Sequence, residues 1–152
     1  MRAVLISACL AGEAVRYDGN VVNPIPNKVK QWVASGEAIL FCPEVCAGLC
    51  VPRDPAEIQG EGGGHAVLSK KARVVTRKGD DVTDAYVKGA EMALELCRKE
   101  GITQAILKER SPSCGSRKIY DGSFSGHLVP GGGVTTALLR ANGIEVMSEE
   151  AI

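Results

Sequence analysis

Short apolar runs alternate with helix-like segments along most of the chain, and this alternation limits the possible folds. Strands are predicted over residues 4–7, 38–41, 73–76, 102–107 and 144–147. Helices are predicted over residues 27–35, 83–100 and 134–141. Strands that are separated by helices are typically joined by right-handed crossovers into a parallel sheet. The sequence therefore predicts an α/β fold of three layers, a Rossmann-like sandwich whose mostly parallel sheet carries helices on both faces.

The segments between these elements differ in how clearly they can be interpreted. Residues 83–100 carry apolar side chains at helical spacing, and Gly101 is typical of a helix end. Residues 43–64, by contrast, show no periodicity, contain three prolines and end in three consecutive glycines. We predict a long loop there, and long loops inside a compact domain usually serve a function or move.

Length and charge limit the class of protein. A chain of 152 residues matches one domain, predicted to span residues 1–152. Eighteen basic residues balance 18 acidic ones, and the sequence has no run of basic residues of the kind that binds a phosphate backbone. A nucleic-acid polymer is therefore not the expected partner. No stretch approaches the roughly 20 apolar residues of a membrane span, and no signal peptide is recognisable. We expect the protein to be cytoplasmic and monomeric. Its expected partner is a small-molecule substrate, and no association with a membrane is expected.

Three of the six cysteines follow predicted strands. Cys9 lies two residues after the first, Cys42 comes directly after the second, and Cys114 lies a few residues beyond the strand at 102–107. Because parallel strands end at one edge of a sheet, these thiols are expected to meet there. Thiolates are soft ligands that bind zinc, cuprous copper or iron–sulfur clusters. Three of them predict a metal or cluster site with one position left open.

The six cysteines could also form disulfides, bind zinc or pack in the core. Disulfides are disfavoured because a cytoplasmic chain of this size is reduced and buries its own core. Cys42, Cys46 and Cys50 are separated by three residues each, a spacing that could form half of a zinc site, but no second close pair of ligands follows. Cys97 lies on the apolar face of a predicted helix and is interpreted as a core residue.

Several motifs occur in a characteristic order. They are Ser7-Ala8-Cys9-Leu10-Ala11-Gly12, Arg16-Tyr17-Asp18-Gly19, Phe41-Cys42-Pro43-Glu44, Pro52-Arg53, Pro55-Ala56-Glu57, Lys108-Glu109-Arg110-Ser111-Pro112-Ser113-Cys114-Gly115 and Ile119-Tyr120-Asp121-Gly122. With the closing stretch from Gly133 to Ile144, they make the chain resemble the family that includes the thiouracil desulfidases. The resemblance runs nearly end to end.

That resemblance implies a cofactor and a reaction. It implies a [4Fe–4S] cluster held by Cys9, Cys42 and Cys114, with the fourth iron free to bind the sulfur of a small thiolated substrate. It also implies that Glu44 and Ser111 are catalytic. The expected reaction is a non-redox desulfuration of a thiolated pyrimidine such as 2-thiouracil, in which water attacks the thiocarbonyl carbon and sulfide is released. Such an enzyme would belong to sulfur metabolism.

Two further hypotheses remain at this point. The chain could be an iron–sulfur or zinc-binding module without desulfidase activity, acting as a redox sensor or scaffold. It could instead be a Rossmann-like binder of a phosphorylated small molecule with its cysteines merely buried. Cys46, Cys50 and Cys97 depart from the common pattern of the desulfidase family, and a thiol close to the site leaves room for a fourth ligand or a sulfur relay.

Overall fold

The structure is a computed structural model that describes residues 3–152. The strands are β1 (Val4–Ser7), β2 (Ala38–Phe41), β3 (Ala56–Gln59), β4 (Arg73–Thr76), β5 (Gln104–Leu107), β6 (Lys118–Tyr120), β7 (Leu128–Pro130) and β8 (Glu145–Ser148). The helices are α1 (Asn27–Ala34), α2 (Pro43–Cys46), α3 (Gly63–Leu68), α4 (Thr83–Glu100) and α5 (Val134–Ala141). Short 3₁₀ segments follow β1 and β8, at Ala8–Ala11 and Glu149–Ala151.

Four strands form the central sheet, in the order β2-β1-β5-β8, and every neighbouring pair is parallel. Side chains alternate between the two faces of the sheet, as they do along any strand. Leu5 and Leu107 pack with α4 and α5, whereas Ile6 and Ile106 pack with Val29 of α1. Helices therefore cover both faces, which confirms the α/β prediction.

Two antiparallel sheets of two strands each lie outside the central sheet. The predicted strand at 73–76 exists as β4, but it pairs antiparallel with β3. Strands β6 and β7 pair in the same way and were not predicted. The loop predicted at 43–64 is wrong, since that stretch contains α2, β3 and the start of α3. These elements have three to six residues and show no clear alternation or helical period of apolar side chains in the sequence.

Helix α4 supports the segment that follows β2. Gly89 of α4 lies directly against the carbonyl oxygen of Pro43, and a Cβ atom at position 89 would overlap that oxygen. The missing side chain thus lets α2 approach α4 at backbone distance. This contact fixes α2 at the edge of the sheet. Among residues 3–152, no helix is long and apolar enough to cross a bilayer.

Candidate active site

A cavity of about 410 Å³ opens at the carboxyl ends of β1, β2 and β5. This is the usual position of a ligand site in an open α/β sheet, and the volume falls in the range of small-molecule pockets. All five residues singled out from the sequence line it, namely Cys9, Cys42, Glu44, Ser111 and Cys114. The cavity therefore brings together residues from three distant parts of the chain.

The three thiols reach the cavity from three different strand ends. Cys9 lies in the 3₁₀ segment after β1 and is buried. Cys42 caps α2, with its sulfur accepting a long hydrogen bond of 3.5 Å from the backbone N–H of Val45. Cys114 lies beyond β5 and is 5% exposed. The thiol of Cys42 interacts electrostatically with both Cys9 and Cys114, so it lies near both of them.

The remaining cysteines lie elsewhere. Cys46 and Cys50 are exposed and do not line the cavity. Cys97 is fully buried in the core between the sheet and helices α4 and α5. The interpretation of Cys97 as a core residue agrees with this position. The arrangement separates three thiols of the cavity from three thiols outside it.

Burial shapes the chemistry of the cavity thiols. It raises the pKa of Cys9 to about 12, with a further contribution from the nearby Cys42. Burial also raises the pKa of Cys42 and of Cys114. The bare thiols therefore keep their protons at neutral pH. Soft metals bind the thiolate form, so loading of this site releases protons.

The chemistry of the thiols indicates which group the cavity could hold. Among residues 3–152, no three Cys, His, Asp or Glu side chains form a group that could hold one metal ion. Thiolates are soft ligands, and [4Fe–4S] clusters are held by cysteine thiolates. Cys9, Cys42 and Cys114 therefore fit the ligand type of an iron–sulfur cluster.

Glu44 lies on the first turn of α2, two residues after Cys42, and its side chain is 13% exposed. Its Oε1 atom accepts hydrogen bonds from Nε of Arg53 at 3.2 Å, from Nη2 of Arg53 at 3.0 Å and from the hydroxyl of Tyr86 at 2.7 Å. Its Oε2 atom accepts from Oγ of Ser113 at 2.8 Å. Every described donor to this carboxylate is a side chain.

Ser111 joins Glu44 to the turn that carries Cys114. Its Oγ atom lies 3.4 Å from Oε2 of Glu44 and 2.9 Å from Oγ of Ser113. The same oxygen accepts the backbone N–H groups of Ser113 and Cys114, at 3.1 and 3.2 Å. Ser111 therefore shapes the turn and also faces the cavity, whereas Ser113 is fully buried behind it.

A second buried carboxylate organises residues 108–118, which we call the Cys114 loop. Glu109 accepts the backbone N–H groups of Ser116, Arg117 and Lys118 on one oxygen and the hydroxyl of Ser116 on the other. Burial by itself would raise the pKa of Glu109, but these donors outweigh it and lower the pKa from 4.5 to about 2. Glu109 is thus charged at neutral pH, and its hydrogen bonds stabilise the conformation of the Cys114 loop.

The chain is similar to known proteins over nearly its whole length. The family model described as 2-thiouracil desulfurase matches residues 4–151. The chain belongs to the 2-thiouracil desulfurase family. An uncharacterized protein of Bacillus subtilis (strain 168), YbbK, is 43% identical over 149 residues, which cover 98% of this chain and 97% of the relative. Because both chains align over almost their full length, the similarity extends to the whole fold.

A solved structure is also similar. The [4Fe-4S]-dependent thiouracil desulfidase TudS is 48% identical, with a TM-score of 0.89. The similarity covers 100% of this chain and 93% of that one. At this level of identity and fold agreement, residues of this desulfurase family member can be compared with TudS along the whole chain.

Sequence reasoning missed several residues of the site. Ser113 stands in the Ser-Pro-Ser-Cys run, so its proximity to Cys114 was a usable signal. Tyr86 gave none, because a tyrosine on the apolar face of a long helix is indistinguishable from a core residue. Arg53 stands in the Pro52-Arg53 motif, and in the structure it pairs with Glu44 at 3.0 Å.

Proposed function

We propose that this chain is a [4Fe–4S]-dependent desulfidase that replaces the thiocarbonyl sulfur of a thiolated pyrimidine, such as 2-thiouracil, with oxygen from water. The observation that carries the proposal is one cavity that contains three thiols from separate strand ends and a carboxylate linked to two serines. Membership of the 2-thiouracil desulfurase family and the similarity to TudS support it.

In this proposal, Cys9, Cys42 and Cys114 would hold the cofactor. When bound, it would supply an iron without a protein ligand, which is a Lewis acid for the sulfur of the substrate. Three thiolates leave that coordination position open, whereas a fourth would close it. The exposed positions of Cys46 and Cys50, away from the cavity, argue against their being a fourth ligand.

Glu44 is the proposed general base. Its Oε2 atom faces the serines and has a short hydrogen bond from Ser113 but only a long contact of 3.4 Å with Ser111. A water molecule could therefore share this oxygen and lose a proton to it. The overall reaction consumes one water, forms a carbon–oxygen bond, breaks the carbon–sulfur bond and releases hydrogen sulfide without net electron transfer.

Ser111 is proposed to hydrogen-bond the substrate. Its hydroxyl faces the cavity and is linked through Ser113 to Glu44, a chain of two oxygen–oxygen contacts of 2.9 and 2.8 Å. A proton taken up by Glu44 can therefore return through the two hydroxyls to a ring nitrogen or to the leaving sulfur. This gives Ser111 a role that a simple turn residue would not have.

The test is an oxygen-free incubation of cluster-loaded protein with 2-thiouracil, following uracil by chromatography and sulfide by a colorimetric assay. We expect both products in equal amounts. Glu44→Gln should lower kcat about a hundredfold or more, which is the typical worth of a general base. Glu95→Gln, an exposed change on α4, is the control and should keep the wild-type rate.

Two results would contradict the proposal. Cluster-loaded protein that forms no uracil would leave the chain as an iron–sulfur module without this activity, the redox sensor or scaffold considered above. A Glu44→Gln variant with an unchanged rate and a full cluster would refute the role of Glu44 alone.

A further inference from the structure

We propose that Tyr86 is a positioning residue for the reaction, because its hydroxyl holds Glu44 so that only Oε2 faces the reacting atoms. The inference rests on the proposed function, in which Glu44 is the general base. Tyr86 lies on α4, far from the cysteine-bearing loops in sequence, and nothing in its surroundings along the chain marks it as part of the site.

The two oxygens of Glu44 are used differently. Oε1 accepts three hydrogen bonds, two from Arg53 and one from Tyr86 at 2.7 Å, so it has no capacity left for a water molecule. Oε2 accepts one short bond, from Ser113, and one weak contact of 3.4 Å from Ser111. Saturation of Oε1 thus leaves Oε2 as the oxygen that is open to a water molecule.

Tyr86 is built to hold this orientation. Its ring packs in the core and the residue is 3% exposed, so the hydroxyl cannot move far. The bond to Glu44 is the only hydrogen bond of the hydroxyl to any of residues 3–152. One turn further along α4, Gly89 seats the backbone of Pro43. The same face of the helix therefore fixes both the backbone and the carboxylate of α2.

Arg53 has other tasks and cannot replace Tyr86 alone. Its guanidinium also donates to the carbonyl oxygens of Cys50 and Val15, each at 3.1 Å. Arg53 therefore connects Glu44 and Cys50 with Val15, and its position depends on all three contacts. Tyr86 lies on α4, and its buried hydroxyl holds Oε1 of Glu44 against the core.

The decisive variant is Tyr86→Phe, which keeps the packed ring and removes only the hydroxyl. We expect kcat with 2-thiouracil to fall about tenfold while KM stays within about twofold, since misplacement of a catalytic group affects the chemical step. Iron and sulfide content and the visible spectrum should match the wild type. A crystal structure of the cluster-loaded variant should show the carboxylate of Glu44 rotated or in more than one orientation.

The matched control is Thr83→Val on the same helix. Thr83 loses a comparable side-chain hydrogen bond, the one that its Oγ1 accepts from the backbone of Val74 at 2.9 Å. It lies outside the cavity lining. Thr83→Val should lower the melting temperature about as much as Tyr86→Phe does, but leave kcat and the orientation of Glu44 unchanged.

Three results would overturn the proposal. They are an unmoved Glu44 in Tyr86→Phe, a kcat of that variant within twofold of the wild type, and an equal loss of kcat in Thr83→Val. If cluster-loaded wild-type protein forms no uracil, the proposed function fails instead. The crystal structures of the two variants would still decide whether Tyr86 holds Glu44.

Discussion

The Cys114 loop and the Cys42 segment, residues 42–53, each bring one thiol and one carboxylate to the cavity, but they are held in opposite ways. Glu109 of the Cys114 loop takes its donors from residues no more than nine positions away, most of them backbone N–H groups. Glu44 of the Cys42 segment takes donors from side chains 9, 42 and 69 positions away.

This difference contrasts a carboxylate that stabilises its own loop with one that we propose takes part in the reaction. Backbone donors bind Glu109 so firmly that its pKa falls to about 2, and it does not exchange protons near neutral pH. Glu44 is held by side chains on one oxygen and keeps the other near the serines. The Cys114 loop can thus be formed locally, whereas the Cys42 segment depends on tertiary contacts with α4.

The largest effect is expected from Glu109→Ala. Removing the carboxylate leaves several buried donors of the Cys114 loop without a partner, and each such donor costs about 1–3 kcal/mol. We expect the free energy of unfolding to fall by about 3 kcal/mol, with loss of most bound iron, measured by urea denaturation and iron analysis.

The control for that change is Glu57→Ala. Glu57 is also buried and accepts two backbone N–H groups, from Gly122 and Phe124, outside the Cys114 loop. It should lower stability but keep the iron. Equal iron loss in both variants would mean that Glu109 has no special role in placing Cys114.

A smaller effect is expected from Gly89→Ala, which tests the Cys42 segment. The added methyl group meets the carbonyl oxygen of Pro43 and must push α2 away from α4. Overpacking of this kind costs about 1–3 kcal/mol. We expect a larger effect on kcat than on the free energy of unfolding, because Cys42 and Glu44 both move with α2. Glu91→Ala, an exposed change on the same helix, is the control, and a Gly89→Ala variant with wild-type kcat would contradict the dependence on α4.

The smallest effect concerns acid stability. The pKa of Glu109 is lower in the folded protein than its usual 4.5, so its contribution to stability is complete above pH 4.5 and disappears as the pH falls towards 2. We expect the stability difference between wild type and Glu109→Gln to shrink by about 1–2 kcal/mol between pH 6 and pH 3. Urea titrations of both proteins across this range measure it, and a constant difference would argue against the lowered pKa.

The comparison also explains what the sequence could predict. Strands β1, β2 and β5 and helix α4 have clear apolar patterns, so their positions and the meeting of three strand-end thiols followed from local rules. Strands β6 and β7 and helix α2 have three or four residues with no clear period of apolar side chains. The roles of Glu44 and Ser111 came from the resemblance to a family and stay predictions.

Long-range contacts account for the parts of the site that the sequence did not reveal. Tyr86 and Ser113 meet Glu44 from 42 and 69 positions away, and no pattern in one sequence records such pairs. Glu109 lies beside Arg110 in a charged run that is typical of solvent-exposed residues, yet it is 4% exposed. Glu109 is surrounded by the turn whose backbone N–H groups it accepts.

The central claim is that Cys9, Cys42 and Cys114 alone hold one cluster. The most direct measurement is the iron and acid-labile sulfide content of single Cys→Ser variants purified without oxygen. We predict that serine at any of these three positions removes most of both, while serine in place of Cys46 or Cys50 leaves about four irons and four sulfides per chain. A bleached Cys46 or Cys50 variant, or a Cys114→Ser variant that keeps its full cluster, would contradict the account.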